Sequence, residues 1–132
     1  MGLLLILIGI GGALGAMSRF LVVQASSSIS NHIPAGIFIC NAIGSLLIGI
    51  VAAFLIKTHI FSEEVSIQVR ALFVTGFLGG FTTFSSFSLD ILNLLQRGEF
   101  FIAFGYALLS VVVSLSSVIM GFYIISFMMG KV

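Results

Sequence analysis

Charged residues are scarce in this chain: Asp, Glu, Lys and Arg make up 7% of its 132 residues, against about 25% in an average soluble domain. Hydrophobic residues make up 60%, and the mean hydropathy is +1.34. This balance excludes a water-soluble globular domain and predicts an integral membrane protein. The formal net charge is only +1, so the chain also lacks the basic surface that nucleic-acid-binding proteins use.

The chain also lacks the residue patterns on which most enzyme chemistry depends. Its sequence shows no metal-ligand cluster, nucleophile–base pair or phosphate-binding loop. Asp90 and Glu99 fall near the ends of apolar stretches, so neither is placed for proton-coupled transport. The single cysteine, Cys40, excludes an intrachain disulfide, and its apolar neighbours indicate a packing role. We therefore expect neither an enzyme nor a proton-driven transporter.

Four long apolar stretches account for most of the chain, at about residues 2–23, 33–56, 69–95 and 100–129. Each reaches the roughly 20 residues that a helix needs to cross the hydrocarbon core. Pro34, the only proline, stands at the start of the second stretch, where a helix tolerates it. No Lys or Arg precedes the first stretch, which favours a retained helix over a cleaved signal peptide. The sequence predicts an all-α membrane protein with four transmembrane helices in a single domain, residues 1–132.

The loop charges do not decide which way the four helices cross the membrane. Lys57, Arg70 and Lys131 fall on one side, and Arg19 and Arg97 on the other. The positive-inside rule needs a clear Lys/Arg excess on one side, and three against two is hardly an excess. A single orientation and a dual topology, in which copies insert both ways, both remain open.

Residues 76–88 of the third stretch have a composition unusual for a membrane helix, with paired glycines, adjacent hydroxyls and phenylalanines. Glycine weakens a helix by roughly 1 kcal/mol per residue, and Thr and Ser hydroxyls can satisfy the backbone groups that a break releases. Released carbonyls can bind a cation. Phe84 and Phe87 share a helix face, and the positive edge of an aromatic ring can stabilise an anion. We therefore predict that the third helix breaks near its centre and lines a polar path.

Other polar residues in the apolar stretches have an ordinary explanation when each is taken alone. Asn41 is typical of an amide that joins two helices, although its NH₂ group can also donate to an anion. Arg19 ends a span, where extension to the interface is the favoured explanation over anion attraction or a network near a pore entrance. Tyr106, Ser110 and Ser114 lie four residues apart, so their hydroxyls form one stripe on a helix. Together with a broken helix, this stripe favours a polar track.

Three motifs, in the order in which they occur along the chain, resemble those of the small bacterial fluoride channel family, also called Fluc or CrcB proteins. The first is Gly-Gly-x-x-Gly-Ala-x-x-Arg at residues 11–19, and the second is Asn-x-x-Gly-Ser at residues 41–45. The third and most specific is Gly-Gly-Phe-Thr-Thr-Phe-Ser-Ser-Phe at residues 79–87. The resemblance covers essentially the whole chain.

The resemblance implies a fluoride-selective channel of the bacterial inner membrane that passively exports cytoplasmic fluoride and protects the cell from its toxicity. It implies an antiparallel dual-topology homodimer with two pores, in contact with membrane lipid and not with nucleic acid. The fluoride path would include Asn41, Phe84, Phe87, Ser88, Tyr106, Ser110 and Ser114. Backbone carbonyls of Gly79 and Thr82 would hold a structural Na⁺ at the dimer centre. Arg19 would be structural or lie in a vestibule.

Two other functions are compatible with four short-linked membrane helices. A small exporter of organic cations is one, although such dimers rely on a membrane-buried carboxylate. A non-transporting scaffold is the other, in which glycines and Asn41 only pack helices together.

Overall fold

The computed structural model describes residues 1–27, 33–57 and 61–130, and in these ranges every regular element is a helix. Four helices are long and apolar enough to cross a membrane: Gly2–Ser26, Ala35–Lys57, Glu63–Gln96 and Phe100–Met128. The predicted all-α fold with four membrane-spanning helices is therefore confirmed. Lys131, which enters the comparison of loop charges, lies outside the described residues.

The third span begins earlier than its hydropathy predicts. Helix α1 is Gly2–Ser26, α2 is Ala35–Lys57, and a short helix α3, Glu63–Val69, precedes the predicted start at residue 69. Ser62 caps α3, because its hydroxyl accepts the Val65 N–H at 3.4 Å. Glu63 and Glu64 then lie in the first turn, where negative charge favours a helix. Local capping therefore extends the span into residues expected to form a linker.

Beyond α3, the third span changes its backbone conformation three times. Residues Arg70–Leu78 form a π-helical segment, Gly79–Phe81 form a single α-helical turn, α4, and Phe84–Gln96 form α5. Between α4 and α5, Thr82 and Thr83 are extended. The predicted break is confirmed, and it lies just after the glycines rather than at them. The π-helical segment was not predicted.

A tight turn returns the chain from α5 to the last helix, α6, Phe100–Met128. Gly98 has a φ of 77°, a left-handed conformation that glycine adopts without strain. The Gly98 and Glu99 N–H groups donate to the Leu95 and Leu94 carbonyls, both at 3.0 Å. This closure satisfies the last carbonyls of α5 and sets α5 and α6 side by side.

Glycines bring two pairs of helical segments into close contact. Helix α1 lies against the π-helical segment, and α2 lies against α6. A methyl group added at Gly11 would overlap the Leu72 carbonyl oxygen, and one added at Gly15 would overlap that of Phe77. Gly49 has the same close relation to α6. Small residues thus let the backbones of these helices approach closely.

The buried core that supports the break is formed by α2, α5 and α6. Ile37, Phe87, Leu94, Ala103 and Tyr106 pack together there. Cys40 is fully buried, as its predicted packing role requires. The start of α5 is therefore anchored on α6, and the extended residues before it must face α2.

Candidate functional site

The backbone of Thr83 at the break is held by one side chain of α2. Asn41 Oδ1 accepts the Thr83 N–H at 2.8 Å, and Asn41 Nδ2 donates to the Thr83 carbonyl at 3.1 Å. Both bonds link residues 42 positions apart in sequence. The expected role of Asn41 in joining helices is thus confirmed. An amide nitrogen carries two hydrogens, so the second Nδ2 hydrogen can still serve a ligand.

Hydroxyls around the break bond to the backbone, and one of them, that of Thr83, takes over an N–H that the break frees. Thr82 Oγ1 donates to the Leu78 carbonyl at 2.8 Å, and Thr83 Oγ1 accepts the Ser86 N–H at 3.2 Å as the N-cap of α5. Ser88 Oγ donates to the Phe84 carbonyl at 2.9 Å. Ser88, predicted to join the ion path, therefore directs its hydrogen to the backbone of its own helix.

The break also releases the two carbonyls predicted to hold sodium. In an uninterrupted α-helix the Gly79 carbonyl would accept the Thr83 N–H, and the Thr82 carbonyl would accept the Ser86 N–H. Here the Thr83 N–H donates to Asn41, and the Ser86 N–H donates to the Thr83 side chain. Both carbonyls thereby lose their ordinary helical donors, which leaves them suited to a hard cation.

An open groove of about 280 Å³ lies beside the break. It collects most of the residues predicted for the ion path, together with hydroxyls that the prediction did not include. The predicted members are Asn41, Phe84, Phe87, Ser110 and Ser114, and the added ones are Ser45, Thr82 and Thr83. Ser45 is one helical turn after Asn41, and this spacing was a signal that could have identified it. Ser88 and Tyr106 are not in the lining.

Aromatic rings form a continuous row from the groove into the core. The Phe84 and Phe87 ring centroids lie 5.5 Å apart at 47°, and those of Phe87 and Tyr106 lie 5.5 Å apart at 38°. Phe84 is 77% exposed on this chain, whereas Phe87 is 7% exposed. The two phenylalanines predicted to act together therefore differ: Phe87 is fixed by packing, and Phe84 extends outward.

The hydroxyl stripe on α6 divides between the groove and the core. Ser110 and Ser114 line the groove. The Ser110 oxygen is buried and makes no hydrogen bond of regular geometry within the described ranges, although it lies beside the Tyr106 hydroxyl. Tyr106 donates to Asp90 Oδ2 at 3.2 Å. Sequence reasoning missed this half-buried contact, because it placed Asp90 only by its distance from the span end.

Arg19 forms a hydrogen bond within the protein, a contact that extension to the interface does not by itself explain. Its Nη1 donates to Ser86 Oγ at 3.2 Å, and the side chain is half-buried. Arg19, Ser86 and Asp90 line a second cavity of about 460 Å³, on the α1 side of α5. The bond to Ser86 agrees with the network role that the sequence left as an alternative.

Comparison with known proteins shows to which family the chain belongs. The family model described as CrcB-like protein, Camphor Resistance (CrcB), matches residues 6–122. A protein of Francisella philomiragia subsp. philomiragia named Fluoride-specific ion channel FluC is 70% identical over 125 residues, which cover 95% of this chain and 96% of the relative. A protein of the same name from Desulfotalea psychrophila is 38% identical over 120 residues, covering 91% of this chain and 90% of the relative. The chain therefore belongs to the CrcB family.

Proposed function

We propose that this chain is a fluoride-selective ion channel and not an enzyme, and that it passively exports fluoride across the bacterial inner membrane. The observation that carries the proposal is the groove beside the break, where an amide, several hydroxyls and two aromatic rings converge. The names of the relatives, Fluoride-specific ion channel FluC, support the choice of ion. Export of fluoride would protect the cell from its toxicity.

The groove offers donors that can replace the hydration shell of a small anion. Moving an ion out of water is costly unless its hydrogen bonds are replaced. The second Nδ2 hydrogen of Asn41 and the hydroxyls of Ser110 and Ser114 are donors of this kind. Several weak sites along one path let an ion enter and also leave, which a conducting channel requires.

The rings of Phe84 and Phe87 supply the apolar part of the proposed path. Ring edges carry the positive part of the aromatic quadrupole, so they attract an anion without offering a charge that would trap it. The carboxylates are outside this arrangement, because none of the residues that line the groove is acidic. The lining therefore favours an anion over the organic cations that a small exporter would carry.

The proposed assembly is an antiparallel homodimer of inverted copies in lipid, with two ion paths. The groove is open on one side of a single chain, and the most exposed of its rings is Phe84. A second copy would close that side and cover the ring. The nearly balanced loop charges are compatible with insertion in both orientations. Labelling of a cysteine at either terminus from both faces of intact cells would support this topology, and labelling from one face only would contradict it.

We further propose a structural Na⁺ at the dimer centre, held by the Gly79 and Thr82 carbonyls. The residues fit this ion, because both carbonyls lack their ordinary helical donors and oxygen ligands suit hard cations. When bound, the ion would supply a fixed positive charge that joins the two copies. The chain's own contribution is to keep both carbonyls free, which the Asn41 and Thr83 side chains do.

Fluoride release from proteoliposomes tests the function. Vesicles loaded with potassium fluoride and given a potassium ionophore should release fluoride but retain chloride. Phe87→Ile and Phe84→Ile should each slow fluoride release sharply, because both remove a ring from the groove. Phe101→Ile, at a position 95% exposed at the start of α6, is the matched control and should conduct normally. Equal release of chloride by the unmodified protein would overturn the proposal.

A further inference from the structure

We infer that Arg19 is a positioning residue for the ion path: through Ser86 and Thr83 it holds the start of α5 against Asn41. The inference rests on the proposed channel function. Arg19 Nη1 donates to Ser86 Oγ at 3.2 Å, and Ser86 Oγ also lies 3.3 Å from Thr83 Oγ1. Thr83 in turn makes both of its backbone bonds to Asn41. A chain of hydrogen bonds thus runs from α1, through the break, to the groove.

The direction of these bonds follows from the donor inventory. A guanidinium has donors only, so Ser86 Oγ must accept from Arg19. Ser86 Oγ also accepts the Thr83 hydroxyl hydrogen, and Thr83 Oγ1 accepts the Ser86 N–H at 3.2 Å. Thr83 Oγ1 lies 3.1 Å from Ser85 Oγ as well, and this contact supplies a further hydrogen to Thr83. A charged donor strengthens the bond it makes, so Arg19 fixes the orientation of the cap.

Arg19 can act on the groove only through these hydroxyls. It lines the second cavity on the α1 side of α5, and it is not among the residues that line the groove. Its position is fixed one turn earlier by Gly15, whose close contact with the Phe77 carbonyl leaves no room for α1 to move inward. The backbone of α1 is therefore held against the third span one turn before Arg19, within reach of Ser86.

A simple electrostatic role for Arg19 predicts a different set of results. If Arg19 only attracted anions, Ser86→Ala would conduct normally and the loss in Arg19→Met would depend on ionic strength. In the positioning role, Arg19→Met and Ser86→Ala interrupt the same chain of bonds. Each should slow fluoride release by about tenfold, a typical consequence of losing a charge-assisted bond.

Fluoride release should be measured for Arg19→Met, Ser86→Ala and the double variant, at low and high salt. We expect the double variant to be no slower than the slower single variant, and the losses to be the same at both salt concentrations. Arg19→Lys should restore most of the rate, because it keeps a charged donor. Arg97→Met, at an exposed arginine in the turn before α6, is the control and should conduct normally. Normal conduction by Ser86→Ala, additive losses or a salt-dependent loss would each overturn the inference.

A second measurement does not depend on flux. The ¹⁵N chemical shifts of the Thr83 amide and of Asn41 Nδ2 should move in Arg19→Met and in Ser86→Ala, and stay in place in Arg97→Met. Unchanged shifts would overturn the positioning role even if conduction fell. If the unmodified protein released no fluoride, the proposed function would fail, while the shifts would still test the chain of bonds.

Discussion

Replacing Asn41 by alanine should close the fluoride path by allowing the helix break to heal. Asn41 makes both side-chain bonds that hold the Thr83 backbone in its extended conformation, at 2.8 and 3.1 Å. Without them, the Thr83 N–H can return to the Gly79 carbonyl, its partner in a continuous α-helix. The start of α5 would then rotate, and Phe84 and Phe87 would leave the groove.

The size of the effect follows from the two bonds and the groups they leave behind. Each bond contributes about 1 kcal/mol net, and an unpaired buried backbone group costs more, so the broken conformation should lose about 2–4 kcal/mol. That loss corresponds to a roughly 30- to 700-fold smaller ratio of the broken to the continuous conformation. If the broken conformation is the conducting one, fluoride release should fall, by at most this factor, as the continuous helix becomes the more populated form.

The assay is fluoride release from proteoliposomes, with Asn93→Ala as the matched control. Asn93 lies on α5 and its side chain is exposed, so the same truncation there should leave the rate unchanged. Circular dichroism should show that Asn41→Ala retains its helices. A normal rate in Asn41→Ala would refute the argument that the amide maintains the break. An equal loss in Asn93→Ala would show that the effect is not specific.

Three further predictions concern packing, the core tyrosine and sodium. Gly80→Ala places a methyl group against the backbone of α1 and should lower the free energy of unfolding by about 1–3 kcal/mol, whereas the methyl group of Gly9→Ala enters open space. Thermal unfolding of both variants in detergent tests this, and equal unfolding midpoints would contradict the packing argument. Tyr106→Phe keeps the ring against Phe87 and removes only the hydrogen bond to the Asp90 carboxylate. Fluoride release should therefore fall less in Tyr106→Phe than in Tyr106→Ser, and the reverse order would disprove the importance of the ring. Replacing sodium in the buffer by N-methylglucamine should lower the thermal unfolding midpoint of the unmodified protein. The decrease should be smaller in Asn41→Ala, because the healed helix no longer frees the Gly79 carbonyl. No shift in either protein would argue against the cation site.

The four spans and the position of the break were predictable because both depend on local composition. Long apolar runs must be helical in lipid, and the change from glycines to hydroxyls at residues 79–83 marks where the helix cannot continue. The sequence also identified Asn41, Ser110 and Ser114, since polar side chains in an apolar run are few and each needs a partner. Their convergence in one groove, with Phe84 and Phe87, agrees with that prediction.

What the sequence missed depends on contacts between distant residues. Nothing near Asp90 indicates that Tyr106, on another helix, will donate to it at 3.2 Å. The resemblance placed Ser88 in the path, and no sequence pattern indicates that its hydroxyl reaches the Phe84 carbonyl on its own helix. The π-helical segment Arg70–Leu78 is another case, because neither hydropathy nor glycine content separates it from an α-helix. Here α1 packs against that segment through Gly11 and Gly15, a tertiary condition that no local pattern records.

Two exchanges of hydrogen bonds at the break link the proposed anion path to the proposed cation site. Asn41 takes the Thr83 N–H and releases the Gly79 carbonyl, while the Thr83 hydroxyl takes the Ser86 N–H and releases the Thr82 carbonyl. The released carbonyls would hold the proposed cation, and the positive end of α5 would favour the proposed anion. If both sites exist, we expect them to be coupled: a change that heals the break should weaken both, whereas loss of the Phe87 ring should affect the anion alone.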